Sequence, residues 1–229
     1  MRRATAACVL LLSLALVSAG AGTAATALPP QANAGGASLA ELAKQFFIFD
    51  AAFSVVDDAH PALDVGAVDC SLGQSGNTWF LETTPDVVGD FERSCSVPTG
   101  TKLYVPIFQW VCAEALDLIP VADCLLDADA FMAEIELSLT LDGETLDREA
   151  LEAYRAQTGI FQLPLAEDSY WEWLTGAELG DSIEFGSDAI GVLLAPLSVG
   201  THVIVVSYSS DTFGFAGSLT YRITVTPGK

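Results

Sequence analysis

Met132–Leu141, read as one strand, constrains the fold of this chain more than any other stretch. Ile135, Leu137, Leu139 and Leu141 alternate with Glu134, Glu136, Ser138 and Thr140. A period of two puts every apolar side chain on one face, which is the pattern of a half-buried β-strand. Such a strand needs a second layer to cover its apolar face. Asp142-Gly143 follows at once as a tight turn. Short apolar runs recur on both sides, punctuated by Pro, Gly and Asp. They are Thr78–Glu82, Glu92–Val97, Lys102–Val111, Ala153–Gln157, Ile160–Leu165, Ile190–Leu194, His202–Tyr208 and Leu219–Val225. Pro106 removes a ladder donor inside one of them, so that strand is expected at an edge or bulged. His202–Tyr208 and Leu219–Val225 are expected to pair antiparallel. No strand–helix–strand alternation is present. The expectation is an all-β chain, an antiparallel β-sandwich of jelly-roll or immunoglobulin-like type, with one N-terminal helix.

That helix is legible in its own right. Ser38-Leu39-Ala40-Glu41 forms a capping box, with Glu three residues after Ser. Leu39, Leu42, Phe46 and Phe49 then recur at helical spacing as far as Phe49. Val55–Gly76 reads as a loop.

The N-terminus reads as a secretory leader. A basic start, Arg2-Arg3, precedes the apolar run Ala7–Val17, and Ala25-Thr26-Ala27 fits a small-x-small cleavage rule. The run is too short to span a bilayer, which takes about 20 residues. The organisation expected is a signal peptide over 1–27, a disordered Pro/Ala/Gly tail over 28–36, and a single β-sandwich domain over 37–229, secreted or periplasmic, with no membrane span after cleavage. Four cysteines remain beyond the leader, an even number suited to an oxidising compartment. Three pairings are open to them. Cys70 with Cys95 and Cys112 with Cys124 is preferred, the second closing a loop of about a dozen residues. A zinc site is disfavoured, because C-x-x-C spacing and clustered His are both missing.

Charge narrows the partners. The chain has 229 residues, 30 acidic against 9 basic, a formal net charge of -21 with 51% hydrophobic residues. Polyphosphate would be repelled, which argues against nucleic acid. The hydrophobic share argues against disorder. An extracellular glycan or protein is the expected partner. No cofactor is expected, with calcium the one cation that loops such as Asp64–Asp69 and Asp123–Asp129 would suit. Neither loop has EF-hand spacing.

Chemistry-bearing candidates are few. Tyr170-Trp171-Glu172-Trp173 on an extended segment would place Trp171 and Trp173 on one face as an aromatic platform, with Glu172 on the other. Gly176 just beyond points to a loop, which favours one ring in the core and one near the surface. Arg93 is one of four arginines beyond the leader. It would need a partner if buried, and Glu82 or Glu92 could serve, or it could capture an anionic ligand. Trp110 completes the candidate ligand-binding set of Trp171, Glu172, Trp173, Arg93 and Trp110. Gly73-Gln74-Ser75-Gly76 is one residue short of a nucleophile elbow. His60 is expected as a surface-loop histidine beside Asp57, Asp58 and Asp64, and His202 as a structural one.

His60-Pro61-Ala62-Leu63-Asp64, Cys70, Gln74, Trp79-Phe80-Leu81, Arg93-Ser94-Cys95-Ser96-Val97-Pro98, Gly100 and Pro106-Ile107 stand in that order. Leu141-Asp142-Gly143, Tyr154-Arg155 and Pro196-Leu197…Gly200-Thr201-His202 follow. The series resembles a group of secreted bacterial proteins with a Pro-x-x-Asp, Cys, Gln, Trp-Phe-Leu, Arg-x-Cys-x-Val-Pro order. The resemblance covers most of residues 39–226 and implies export. It transfers no catalytic residue, since no established activity attaches to the group. The function expected is a non-catalytic binding or interaction domain. The alternative is a polysaccharide-active hydrolase or lyase using paired carboxylates.

Overall fold

The computed structural model describes residues 26–32, 36–56, 60–83, 88–176 and 178–227. Most of the expected leader therefore lies outside the described residues, as do Asp57 and Asp58. In chain order the elements are α1 Leu39–Asp50, β1 Gly66–Ala67, β2 Thr78–Phe80, β3 Gly89–Pro98, β4 Lys102–Ala113, α2 Glu114–Asp117, α3 Val121–Met132 and β5 Glu136–Leu141. Then come β6 Glu144–Leu146, α4 Arg148–Glu152, β7 Arg155–Gln157, β8 Phe161–Pro164, α5 Tyr170–Thr175, β9 Ser182–Leu194, β10 Gly200–Ser210 and β11 Phe215–Thr226.

The strands form two sheets. One runs β1-β3-β11-β10-β5-β6, and the other β2-β4-β9-β7 with β8 also on β9. β5 alternates as its sequence requires, with Leu137, Leu139 and Leu141 inward. β10 and β11 pair antiparallel from Gly200↔Val225 to Ser210↔Phe215. Ile190, Val192 and Leu194 of β9 meet Leu139, Ile204 and Ile223 in the core between the sheets. α1 starts at Ser38, whose hydroxyl accepts from Glu41 N at 3.3 Å. Its apolar face covers the far side of the second sheet, with Phe47 4.7 Å from Phe185. The architecture is therefore sandwich-like, with a helical layer added outside one sheet.

Three expectations need correction. The sheets are mixed, not antiparallel: β3 runs parallel to β11 over Gly89–Pro98, and the pairs β1–β3 and β2–β4 are parallel too. A period-two pattern carries burial but not strand direction, so this pairing could not be read locally. Among the described residues the N-terminal helix is joined by four others. The loop closed by Cys112 and Cys124 holds α2 and the first turn of α3, which runs on past Cys124 to Met132. The strand expected at Ile190–Leu194 is the last part of a 13-residue strand. β9 is covered on both faces, so its burial is continuous and the alternation that marks a one-sided strand is missing.

Pro106 does what a strand proline must. The β4–β9 register shifts between Pro106 and Phe108, a bulge that absorbs the missing N–H. Opposite it, Gly191 lies under the buried Tyr104 ring, so any Cβ there would strike that ring. We expect Gly191→Ala to cost about 1–3 kcal/mol by overpacking, measured by denaturant unfolding. A cost below 0.5 kcal/mol would mean that Tyr104 moves freely.

Cys70 is bonded to Cys95 and Cys112 to Cys124, with Cα separations of 5.8 and 5.7 Å. The 25-residue and 12-residue separations correspond to about 3–4 and about 3 kcal/mol of loop-closure stabilisation. The expected tail is not wholly free. Leu28 N donates to Leu193 O at 2.8 Å, and Ala27, the last residue of the expected leader, bridges Leu194 at the end of β9.

Candidate functional site

A cavity of about 260 Å³ lies where the second sheet lacks a strand. β2 pairs only Lys102–Tyr104 of β4. Beyond Tyr104, among the described residues, no strand flanks β4 on that side. α1, α5, the bulged stretch of β4 and the inner faces of β10 and β11 close around the gap. Phe46, Phe47, Phe108, Tyr170, Trp171 and Tyr208 supply rings, with Asp50 and Gln109 as polar members of the wall.

Asp50 reaches this wall because it falls on the apolar stripe of α1, after Ala43, Phe46 and Phe47. Burial raises its carboxyl to about 7. The Trp171 indole N–H beside it pulls the other way, and burial outweighs it. Trp171 Nε1 reaches hydrogen-bond geometry with no partner, and neither does Gln109 Nε2. His60, expected at the surface, is fully buried behind Asp50. Its Nδ1 accepts from Ala62 N at 3.1 Å, so Nε2 carries the proton and faces Asp50 O at 3.2 Å. Burial lowers the His60 pKa and keeps the ring neutral. Glu82 lies behind in turn. Burial, then the neighbouring Asp50, push its carboxyl well above the usual range.

The proposed ligand-binding residues scatter. Arg93 is fully buried and does not face this cavity. It lines a separate space of about 50 Å³ with Glu82 and Tyr221. Its Nε donates to Asp64 O at 2.7 Å, Nη2 to Ala62 O at 2.7 Å, and Nη1 to Glu82 O at 2.8 Å and Tyr221 Oη at 2.9 Å. The partner anticipated at Glu82 is thus its carbonyl, while Glu92 pairs with Arg222 at 2.9 Å. The Trp110 ring packs tilted against Phe131, centroids 3.9 Å apart, beside the Cys112–Cys124 bridge.

The Trp171–Trp173 segment is helical, not extended. Ser169 caps α5, and Gly176 ends it in the left-handed region. Helical geometry separates the two rings, so no two-ring platform forms. Trp171 is 4% exposed and lines the cavity, while Trp173 is 57% exposed above Tyr170. Glu172 Oε1 accepts from Leu179 N at 2.9 Å and serves the loop after the helix. We expect Trp171→Ala to cost about 3–5 kcal/mol and Trp173→Ala less than about 0.5 kcal/mol. Iodide should quench Trp173 and spare Trp171. Equal losses of stability would contradict this placement.

Ser198, His202 and Asp142 have the connectivity of a hydrolase triad without its hydrogen bonding. His202 Nδ1 lies 2.6 Å from Asp142 Oδ2, but Nε2 lies 2.8 Å from the Ser198 carbonyl and 3.4 Å from its hydroxyl. A nitrogen that donates to a carbonyl cannot take the proton of the hydroxyl. The ring pins the turn before β10, which is a structural role. Among the described residues no group of three or more His, Cys, Asp or Glu side chains could hold a metal. Asp123–Asp129, expected as a calcium-suited loop, lies within α3, and Asp129 binds Arg155 at 2.7 Å. No described helix is long and apolar enough to cross a membrane.

No family model matches this chain, and no curated protein does. Among solved structures, the chain is similar to PbICP-C in its complex with falcipain-2, at 13% identity and TM-score 0.30, over 66% of this chain and 100% of that one. It is similar to the cysteine protease inhibitor EhICP2 from Entamoeba histolytica at 11% identity and TM-score 0.23, over 71% and 97%. For Amebosin the figures are 8% and 0.20, over 61% and 98%. Likeness at this level carries no argument about what the present chain binds.

Proposed function

We propose that this protein is an extracellular, non-catalytic binding domain that takes a small, largely apolar molecule in the cavity beneath α5. The observation that carries this reading is the cavity itself. Small-molecule sites are mostly apolar concavities with a few polar groups that fix orientation. This one has six rings, a buried carboxyl, and two buried donor atoms without partners. A purely structural void would be expected to collapse or to leave no buried donor unpaired. The volume is sufficient, since a 150 Å³ apolar cavity already accepts benzene. The two disulfides fit an oxidising compartment.

Paired-carboxylate hydrolysis is the rival, and among the described residues the buried acids Asp50 and Glu82 are the pair to weigh for it. The two line different cavities, so no single bond can sit between them as the two-carboxylate mechanism demands. The test is calorimetric titration with single-ring probes against wild type and Leu116→Trp, which fills the cavity from α2. Binding should be seen in the first and lost in the second. Equal binding to both would place the ligand elsewhere. Turnover of a glycan lost in Asp50→Asn and Glu82→Gln would overturn the non-catalytic reading.

A further inference from the structure

We propose that the cavity selects an organic ammonium cation, a ring-bearing amine or quaternary ammonium, with Asp50 as its counter-charge. This rests on the binding-domain reading and adds the chemical class of the ligand.

Asp50 is the only charged side chain in the described wall. It is buried at 6% exposure with no cation of its own. The two basic side chains nearby are already accounted for. His60 lies 3.4 Å from Asp50 Oδ1, but its single ring proton faces the Asp50 carbonyl while Nδ1 is an acceptor, so it is neutral. The Arg93 guanidinium is taken up by three carbonyls and the Tyr221 hydroxyl. Glu82, on the other side, can only repel an anion at Asp50.

A buried carboxylate without a counter-charge is costly and shifts toward its neutral form. An anionic ligand would make that worse. A neutral apolar ligand would leave the carboxyl facing hydrocarbon. A cation uses every feature of the wall at once, because aromatic faces attract ammonium groups and Asp50 supplies the full charge. Trp171 contributes its ring to the cation and its indole N–H toward the carboxyl that holds it. The -21 net charge of the chain raises the local concentration of cations.

Across pH 5–8, the groups facing Asp50 are His60 from the loop after α1, Glu82 from the segment after β2, and Tyr170 from α5. Tyr170 is pushed up to about 12, mainly by burial, and stays neutral. Burial holds Glu82 toward its protonated form. With Asp50 near 7 in the empty cavity, acidification protonates the counter-charge and releases the cation.

The experiment is calorimetry with three benzyl probes: benzyltrimethylammonium, its uncharged isostere neopentylbenzene, and the anion phenylacetate. Benzyltrimethylammonium has a charge that does not titrate. It should bind at least tenfold more tightly than neopentylbenzene at pH 8, and phenylacetate should not bind. Asp50→Asn should lose at least tenfold for the cation and keep its affinity for neopentylbenzene. The affinity for the cation should fall about tenfold from pH 8 to pH 5 in wild type and stay level in the variant. Thermal unfolding confirms that the variant is folded. Equal binding of cation and isostere, or a cation preference that survives in Asp50→Asn, overturns this inference and leaves the cavity reading intact. Failure of all three probes overturns both.

Discussion

Replacing Arg93 by methionine should cost the fold about 3–5 kcal/mol, the scale set by removing one partner from a buried charged network. The guanidinium is fully buried and reaches Ala62 O, Asp64 O, Glu82 O and the Tyr221 hydroxyl. Tyr221 in turn donates to the same Glu82 carbonyl. Those carbonyls belong to the loop after α1 and to the segment leaving β2, while Arg93 and Tyr221 sit on paired strands. One side chain therefore ties two irregular segments to the first sheet. Methionine fills similar volume but leaves three buried carbonyls with fewer donors, each costing about 1–3 kcal/mol. Lysine should not rescue, because one ammonium cannot present a planar fork to acceptors on several sides. Arg222→Met is the control. It breaks only the exposed pair with Glu92 and should cost no more than about 1 kcal/mol. Urea midpoints of the three variants decide the matter. An Arg93→Met loss no larger than that of Arg222→Met would remove the anchoring role.

Asp50→Asn should stabilise the protein at pH 8 by up to about 4 kcal/mol, taking about 1.4 kcal/mol for each pH unit between the usual 3.8 and about 7. An acid whose folded pKa is raised takes up a proton on folding. Its penalty is absent below the unfolded value near 3.8, grows as pH rises through the window, and is complete above about 7. Wild type should therefore lose stability between pH 4 and pH 7 where the asparagine variant does not. His60 has the opposite sign. Its pKa is lowered, so its contribution is present above the usual 6.5 and is lost as pH falls below it. Removing Asp50 should leave that acid limb visible. Unfolding free energies of both proteins from pH 4 to pH 8 give the comparison. A constant difference across that range would mean that Asp50 does not titrate in the folded state.

The legible parts of the fold share one property: the relevant neighbour is close in sequence or the burial is one-sided. Ser38 and Glu41 cap α1 within one turn, and β5 shows its inward face through simple alternation. β10 and β11 are a hairpin, and their pairing follows from adjacency. α3 was hidden because its residues read as the end of the disulfide loop and the acidic loop after it. β9 was legible only from Ile190, because helices cover its second face and remove the alternation. The candidate site was the least legible. Trp171 was singled out with Trp173, and the expected split of one buried and one exposed ring holds, but on a capped helix and not on the extended segment that a platform would need. Asp50 left a faint mark, a carboxylate three residues after Phe47 on an apolar helical stripe. Nothing marked His60 or Glu82 as buried.

The β-rich layering, the start of α1, the β4 irregularity at Pro106 and the supply of four pairable cysteines could all be read along the chain. Each of these follows from local stereochemistry or from counting. Tertiary structure decided which way β3 faces β11, where Arg93 finds its acceptors and that β2 stops three residues into β4. It also decided that the gap so left is walled by rings and one carboxyl. Asp50, His60, Glu82 and Arg93 lie on four separate segments, and only closure of the sandwich removes them from water together. Their chemistry is set by that shared desolvation, a property of the neighbourhood that no single stretch of sequence carries.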